Sequence, residues 1–201
     1  MTIKEIERIF LCGAPTENFI EACRKDTRKS LQTILRRYER REQERERLHI
    51  MYAYERAAAQ AGHLVVAGVD EAGRGPLVGP VAAAAVILPQ ECELPRLNDS
   101  KKLSSAVREE LFAQIVACAV SYHVSFIDAE TIDRINVLQA TRMGMYEAIA
   151  MLSPSPEEVL IDAVELPKLC MSSKSIIKGD AKSASIAAAS ILAKVTRDRL
   201  M

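Results

Sequence analysis

The sequence predicts an α/β fold: a mixed five-stranded sheet flanked by helices, preceded by an α-helical N-terminal extension. Three observations predict it. Up to residue 61 the apolar residues recur at helical spacing, and after Gly62 short apolar, β-branched runs alternate with helical segments. A helical crossover also precedes the fourth such run, which suits parallel pairing in a sheet whose first three strands can form a meander. With 201 residues, 49% hydrophobic and 27% charged, the chain has enough material for one full core and an appendage. The expected division is a helical extension over residues 1–61 and an α/β domain over residues 62–201.

In the extension, Thr2 and Glu5 form a capping-box pattern and Pro15-Thr16 marks a fresh helix start. Leu31, Ile34, Leu35 and Tyr38 then lie on one helical face, and Gly62 is a natural helix terminator. Leu64 to Val69 reads as the first strand and Pro80 to Leu88 as the second, closed by Pro89. The stretch from Arg96 to Lys102 is polar loop, after which Ser104 or Ser105 caps a helix running to about Cys118. A third strand fits Val120 to Ile127, and a helix follows over roughly Asn136 to Leu152, broken by Ser153-Pro154-Ser155-Pro156. Val159-Leu160-Ile161 leads into Asp162 as a buried fourth strand, and Ser175-Ile176-Ile177 leads into Lys178-Gly179-Asp180 as a short fifth. Lys182 to Met201 reads as a helix whose alanine-rich buried face runs through Ile186, Ala189 and Ala193.

Composition narrows the chemistry. The formal net charge is zero, which excludes a uniformly basic nucleic-acid coat, yet Arg24 to Arg47 holds ten Lys or Arg against five Asp or Glu. That local excess reads either as a phosphate-facing surface or as a solvated helix laced with Arg–Glu pairs. No apolar run approaches the length of a membrane span, and the N-terminus lacks a basic-then-apolar leader, so a cytoplasmic protein with no membrane partner is expected. Five cysteines without a CxxC pair and three scattered histidines argue against structural zinc and against a disulfide framework. Any metal therefore needs oxygen ligands.

Three predicted strand ends deliver acids: Asp70 with Glu71, Asp162, and Asp180. Ligands of open α/β sheets gather at strand ends, and converging carboxylates repel unless cations lie between them. Oxygen ligands suit Mn²⁺ or Mg²⁺, and two such ions about 3.5–4 Å apart stabilise both the attacking and the leaving oxygen in phosphodiester cleavage. Strand alternation sends Asp70 and Glu71 to opposite faces, so both reach one site only if the strand ends or twists between them. Gly73-Arg74-Gly75-Pro76 and Gly79-Pro80 follow directly, offering backbone N–H groups to a sugar or phosphate.

Four ordered motifs carry a resemblance. They are Val69-Asp70-Glu71-Ala72-Gly73-Arg74-Gly75-Pro76-Leu77-Val78-Gly79-Pro80, Asn98-Asp99-Ser100-Lys101-Lys102-Leu103, Leu160-Ile161-Asp162-Ala163, and Lys178-Gly179-Asp180 followed by Ala187-Ala188-Ala189-Ser190-Ile191-Leu192-Ala193-Lys194-Val195. Together, over roughly residues 64 to 201, the chain resembles bacterial ribonuclease HII. The resemblance implies a ribonuclease-H-like fold and a two-ion site of Asp70, Glu71, Asp162 and Asp180, with Asp198 as a rival fourth acid. It implies RNA–DNA hybrids and DNA containing ribonucleotides as partners, cut to 5′-phosphate and 3′-hydroxyl ends by a monomer. Gly73, Arg74 and Gly75 would recognise the 2′-hydroxyl, the group that distinguishes RNA from DNA, and Ser100, Lys101 and Lys102 would contact the substrate backbone. The related ribonuclease HIII shares the Asp-Glu-Ala-Gly opening but typically carries lysine at the position of Arg74 and a sheet-containing N-terminal domain.

Members of the resembled family usually continue past the helix that ends here, and a tyrosine from that further part stacks on the junction deoxyribose. The chain thus reads as C-terminally truncated, with its metal ligands present. A duplex-binding protein without turnover is the second functional class, and a helical interaction module built on residues 1–61 is the third.

Overall fold

The computed structural model describes residues 1–13, 15–75, 78–90 and 92–201; Pro76 and Leu77 of the glycine-rich motif lie outside the described residues. Two compact units emerge, Met1–Arg47 and Leu48–Met201. In the first, α1 (Ile3–Cys12) starts with the expected capping box, in which Thr2 Oγ1 accepts from the Glu5 N–H and Glu5 accepts from the Thr2 N–H. Helix α2 (Glu17–Lys25) is capped by Thr16, and α3 (Lys29–Met51) supplies the third wall. Ile6, Phe10, Ile20, Cys23, Leu31 and Leu35 are the buried centre, and the Phe10 ring lies 4.8 Å from that of Tyr38.

The larger unit takes in the last turn of α3 and α4 (Ala53–Gln60), because Leu48, Met51, Tyr52 and Ala58 are buried in its core. Gly62 ends α4: its N–H donates to Ala59 and that of His63 to Ala58, each at 3.0 Å. The sheet contains β1 (Val66–Ala72), β2 (Val81–Ile87), β3 (Ser121–Ile127), β4 (Glu158–Asp162) and β5 (Ser172–Ile176), in the order β3-β2-β1-β4-β5. The first three strands pair antiparallel, and β4 and β5 add on in parallel beside β1. Between them come α5 (Ser105–Cys118), α6 (Ala129–Ile135) and α7 (Val137–Ala150), and α8 (Ala184–Leu200) ends the chain.

The five strands, the antiparallel meander of the first three and the mixed pairing match the fold expected from sequence, while the placing of β4 and then β5 beside β1 is what the structure adds. Two details differ. Asp128 caps an extra helix, α6, whose seven residues are too few to present a periodic face. Strand β5 also lies earlier than its apolar signal, because as an edge strand it is built mostly of exposed Ser172, Ser173, Lys174 and Ser175.

Strand alternation sorts the core into two layers. Ala67, Val69, Ala83, Ala85, Val159 and Ile161 face one side with Met145, Ala148 and Ile149 of α7. Ala84 and Val86 face the other, with Leu111 and Ile115 of α5 and the alanine-rich α8. Helix α8 lies directly on β1: a Cβ on Gly68 would stand 2.1 Å from the carbonyl carbon of Ser185, so only glycine permits the approach. At this end of the sheet Glu55 of α4 caps α8, its Oε1 accepting from Ser183 Oγ at 2.6 Å, Ser185 Oγ at 2.7 Å and the Ser185 N–H at 2.9 Å. Among the described residues no helix is long and apolar enough to cross a membrane.

Candidate metal centre

The sheet register builds the site. Strands β1 and β4 run parallel with Val69 opposite Ile161, so the next residue of each, Asp70 and Asp162, stand side by side at their C-terminal ends. Asp70 shares the α8-facing side of β1 with Gly68. Strand β5 ends at Ile176, opposite Asp162, and a single 3₁₀ turn (Gly179–Ala181) brings Asp180 back over the sheet. Asp70, Asp162 and Asp180 each offer a carboxylate oxygen within 4.8 Å of the others, a geometry that could hold a metal ion.

Electrostatics make this arrangement costly without a cation. Asp70 and Asp180 are 5% and 6% exposed. Two unit charges at such a separation repel by about 3 kcal/mol at an effective dielectric constant of about 20, a sizeable part of a domain's net stability. Burial, and then the charge of Glu71, holds the Asp70 carboxyl well above the usual carboxylate range, while the hydroxyl of Ser190 on α8 pulls it down. Burial also raises Asp180, assisted by Asp99 and Asp162 and opposed by Lys101. Asp162 Oδ1 accepts from the Gly179 N–H at 2.6 Å, which fixes the turn that carries Asp180.

Glu71 lies just outside the three-acid group. Strand β1 continues through Ala72 without ending between the two acids, but its pairing with β4 stops at Val69, so Glu71 sits on the rim of the sheet. There its charge acts on Asp70, and it feels that of Asp162. Burial raises its carboxyl, opposed chiefly by Arg74, whose Nη1 lies 3.0 Å from Glu71 Oε1. Glu71 Oε2 is buried and has no hydrogen-bond partner among the described residues. Three converging carboxylates, with Glu71 and its orphaned oxygen beside them at the rim, fit a hard divalent cation such as Mg²⁺ or Mn²⁺.

Ser100, expected with its neighbours to meet the substrate backbone, is turned inward: it is buried, and its hydroxyl lies 2.9 Å from that of Ser190. Ser100 thus braces the serine whose hydroxyl acts on Asp70, because it lies on a 3₁₀ turn (Ser100–Lys102) packed on α8. Lys101 and Lys102 are exposed on the same turn, with the charge of Lys101 felt at both Glu71 and Asp180. Gly73 adopts φ +104, and open space surrounds Gly75. Asp198 stands apart, with Lys194 Nζ at 2.6 Å and Arg108 Nη2 at 4.0 Å.

Two participants escaped the sequence reading. Asp99 caps the 3₁₀ turn and helps to hold the Asp180 carboxyl up, and Ser190, which favours the charged form of Asp70, is hydrogen-bonded to Ser100. Both lie inside the quoted motifs, yet only the three-dimensional path of α8 past β1 shows what they touch.

The family model described as Ribonuclease HII matches residues 67–201, and that of the Ribonuclease HII N-terminal domain matches residues 2–59. The chain is similar to the curated ribonuclease HII of Geobacillus thermodenitrificans, at 51% identity over 206 residues covering 100% of this chain and 79% of that protein. Among solved structures, ribonuclease H2 from Pyrococcus horikoshii aligns with a TM-score of 0.60 and 31% identity, over 68% of this chain and 73% of that one. A ribonuclease HII from Archaeoglobus fulgidus, solved in complex with PCNA, aligns with a TM-score of 0.53 and 31% identity, over 68% and 74%.

Proposed function

Since this chain belongs to the ribonuclease HII family and is a ribonuclease H enzyme, we propose that it is a divalent-metal-dependent endonuclease for RNA–DNA hybrids and for ribonucleotides embedded in duplex DNA. The observation that carries the metal dependence is the meeting of Asp70, Asp162 and Asp180 within 4.8 Å. Glu71 completes a four-acid set suited to two ions, Mn²⁺ or Mg²⁺, at the exposed rim of the sheet. When bound, such ions neutralise the scissile phosphate and stabilise both the attacking and the departing oxygen.

The chain's own residues do the rest. The four carboxylates are the groups that would hold the ions, whose charge would offset their mutual repulsion, and the Gly179 N–H orients Asp162. In the reaction, water adds to phosphorus on the 5′ side of the ribonucleotide. The bond to the preceding 3′-oxygen breaks, and a proton ends on that oxygen, leaving 5′-phosphate and 3′-hydroxyl ends. Gly73, Arg74 and Gly75 read the 2′-hydroxyl through backbone placed close to the ribose, while Lys101 and Lys102 meet phosphates.

A second element of the reading concerns the N-terminal unit. Lys29, Arg36 and Arg40 lie at helical spacing on the side of α3 opposite buried Leu31 and Leu35, and with Arg37 they form no ion pair among the described residues. They hold duplex backbone by phosphate contacts.

The deciding experiment compares the unaltered chain with Asp70→Asn on a duplex carrying one ribonucleotide, with Mn²⁺. Cleavage should be lost in the variant with duplex binding retained. Cleavage retained in Asp70→Asn would refute the metal-centre reading, and binding without turnover by the unaltered chain would favour a duplex-binding role.

A further inference from the structure

Arg197 has no part in the centre described above, yet it is one of the most deeply placed cations of the molecule, only 6% exposed near the end of α8. Its guanidinium is held by main chain. Nε donates to the Pro80 carbonyl and Nη2 to the Val78 carbonyl, both at 2.9 Å. Among the described residues it forms no ion pair. A buried guanidinium without a carboxylate is costly, and hydrogen bonds to carbonyls offset that cost only in a fixed geometry.

The same side chain reaches the other end of the glycine-rich loop. A Cβ on Gly73 would stand 2.5 Å from Arg197 Nε and 3.0 Å from its Cδ, and one on Gly79 would be 3.2 Å from Nη2. The loop therefore leaves β1 against the flank of Arg197 and returns to β2 hydrogen-bonded to its fork. The planar guanidinium spaces the two stems, which a flexible ammonium with point-charge donors cannot do.

We infer that Arg197 is a positioning residue for ribose recognition: from α8 it clamps both stems of the Gly73–Pro80 loop and so sets where the Gly73–Gly75 backbone meets the 2′-hydroxyl. This rests on the reading of that loop given under Proposed function. Because α8 also packs directly on β1, with Ser185 against Gly68 two residues before Asp70, one helix aligns the group that recognises the ribose with the acids that act on the adjacent phosphate.

Amide hydrogen exchange and cleavage kinetics on the full chain test it, with Arg197→Met and Arg197→Lys. In Arg197→Met the amides of Gly73–Gly75 and Val78–Gly79 should exchange about tenfold faster or more, with those of Val66–Val69 unchanged. Mn²⁺ affinity, measured by calorimetry, should stay within about twofold, because Asp70, Asp162 and Asp180 are untouched. On a duplex with one ribonucleotide, kcat should fall at least about tenfold with KM nearly unchanged, and Arg197→Lys should be intermediate on both readouts. Unaltered loop exchange, or faster exchange spread over the whole chain, overturns the clamp. Faster loop exchange with unaltered kcat overturns the role in recognition. Failure of the unaltered chain to cut any ribonucleotide substrate overturns the functional reading instead, while the exchange data still decide the clamp.

Discussion

The two rims of the sheet each present a carboxylate to α8, and they are opposites. At one rim Glu55 Oε1 gathers three donors from Ser183 and Ser185 at the first turn of the helix, where the unpaired N–H groups favour negative charge. At the other, Asp70 accepts from the backbone N–H of Glu71 at 2.7 Å, but must share its surroundings with Glu71, Asp162 and Asp180. The first carboxylate has donors and no acid gathered against it, although its Oε2 is buried without a hydrogen-bond partner among the described residues. The second set is at odds with itself until something positive arrives. Burial of an acid therefore says little about function, whereas the charge of its neighbours says a great deal.

The sharpest way to break this contrast is at the crowded rim. Asp180→Asn should lower cleavage by roughly 10³-fold or more, whereas Asp198→Asn, which loosens only an ion pair with Lys194, should change it by less than about threefold. Parallel steady-state assays decide, and comparable losses would mean that the acid set has been drawn wrongly.

Between the rims, Gly68→Ala places a methyl where the Ser185 backbone already stands. It should cost about 1–3 kcal/mol or more in chemical denaturation and reduce cleavage as α8 is pushed off β1. At the quiet rim, Glu55→Gln should cost about 1–3 kcal/mol by weakening the cap, while cleavage measured well below the melting temperature stays unchanged. A loss of kcat there without loss of stability would erase the distinction between the two rims.

The smallest effect is a sign reversal. The folded-state carboxyl of Asp70 is raised above its ordinary value of 3.8, so its stability contribution is present in acid and lost as pH rises through that folded value. Metal-free Asp70→Asn should therefore melt higher than the unaltered protein at neutral pH. The difference should disappear below about pH 3.8 and shrink when Mn²⁺ is added. Thermal melts across pH in the presence of a chelator measure it, at about 2–4 °C for each kcal/mol.

Much of this was legible in the chain itself. The first four strands, the mixed sheet and the approach of Asp70 and Asp162 follow from apolar runs that lead into those acids, and Lys178-Gly179-Asp180 marks the turn that brings in the third. Less legible was anything set by close approach. Alternation alone could not say how Glu71 attends a site that Asp70 faces from the other side; the answer is that pairing to β4 ends one residue before Asp70, leaving Glu71 at the rim. Ser100 sits in a polar run that reads as solvent loop, but a 3₁₀ turn tucks it against Ser190. Arg197 reads as one of several charges in a basic helix end, and only the fold reveals that its partners are carbonyls 117 and 119 residues away.

Gly68 has one more consequence, best put in terms of leverage. Helix α8 bears on the sheet through bare backbone at Ser185, and Arg197 lies twelve residues, or about 18 Å, further along the same rigid rod. A tilt of only about 5° at that bearing would move the far end by about 1.6 Å. That is enough to break hydrogen bonds to the loop while barely disturbing the contact where the tilt began. The missing side chain of one glycine thus acts as a machined seat, and the tolerance of the distant loop is decided there.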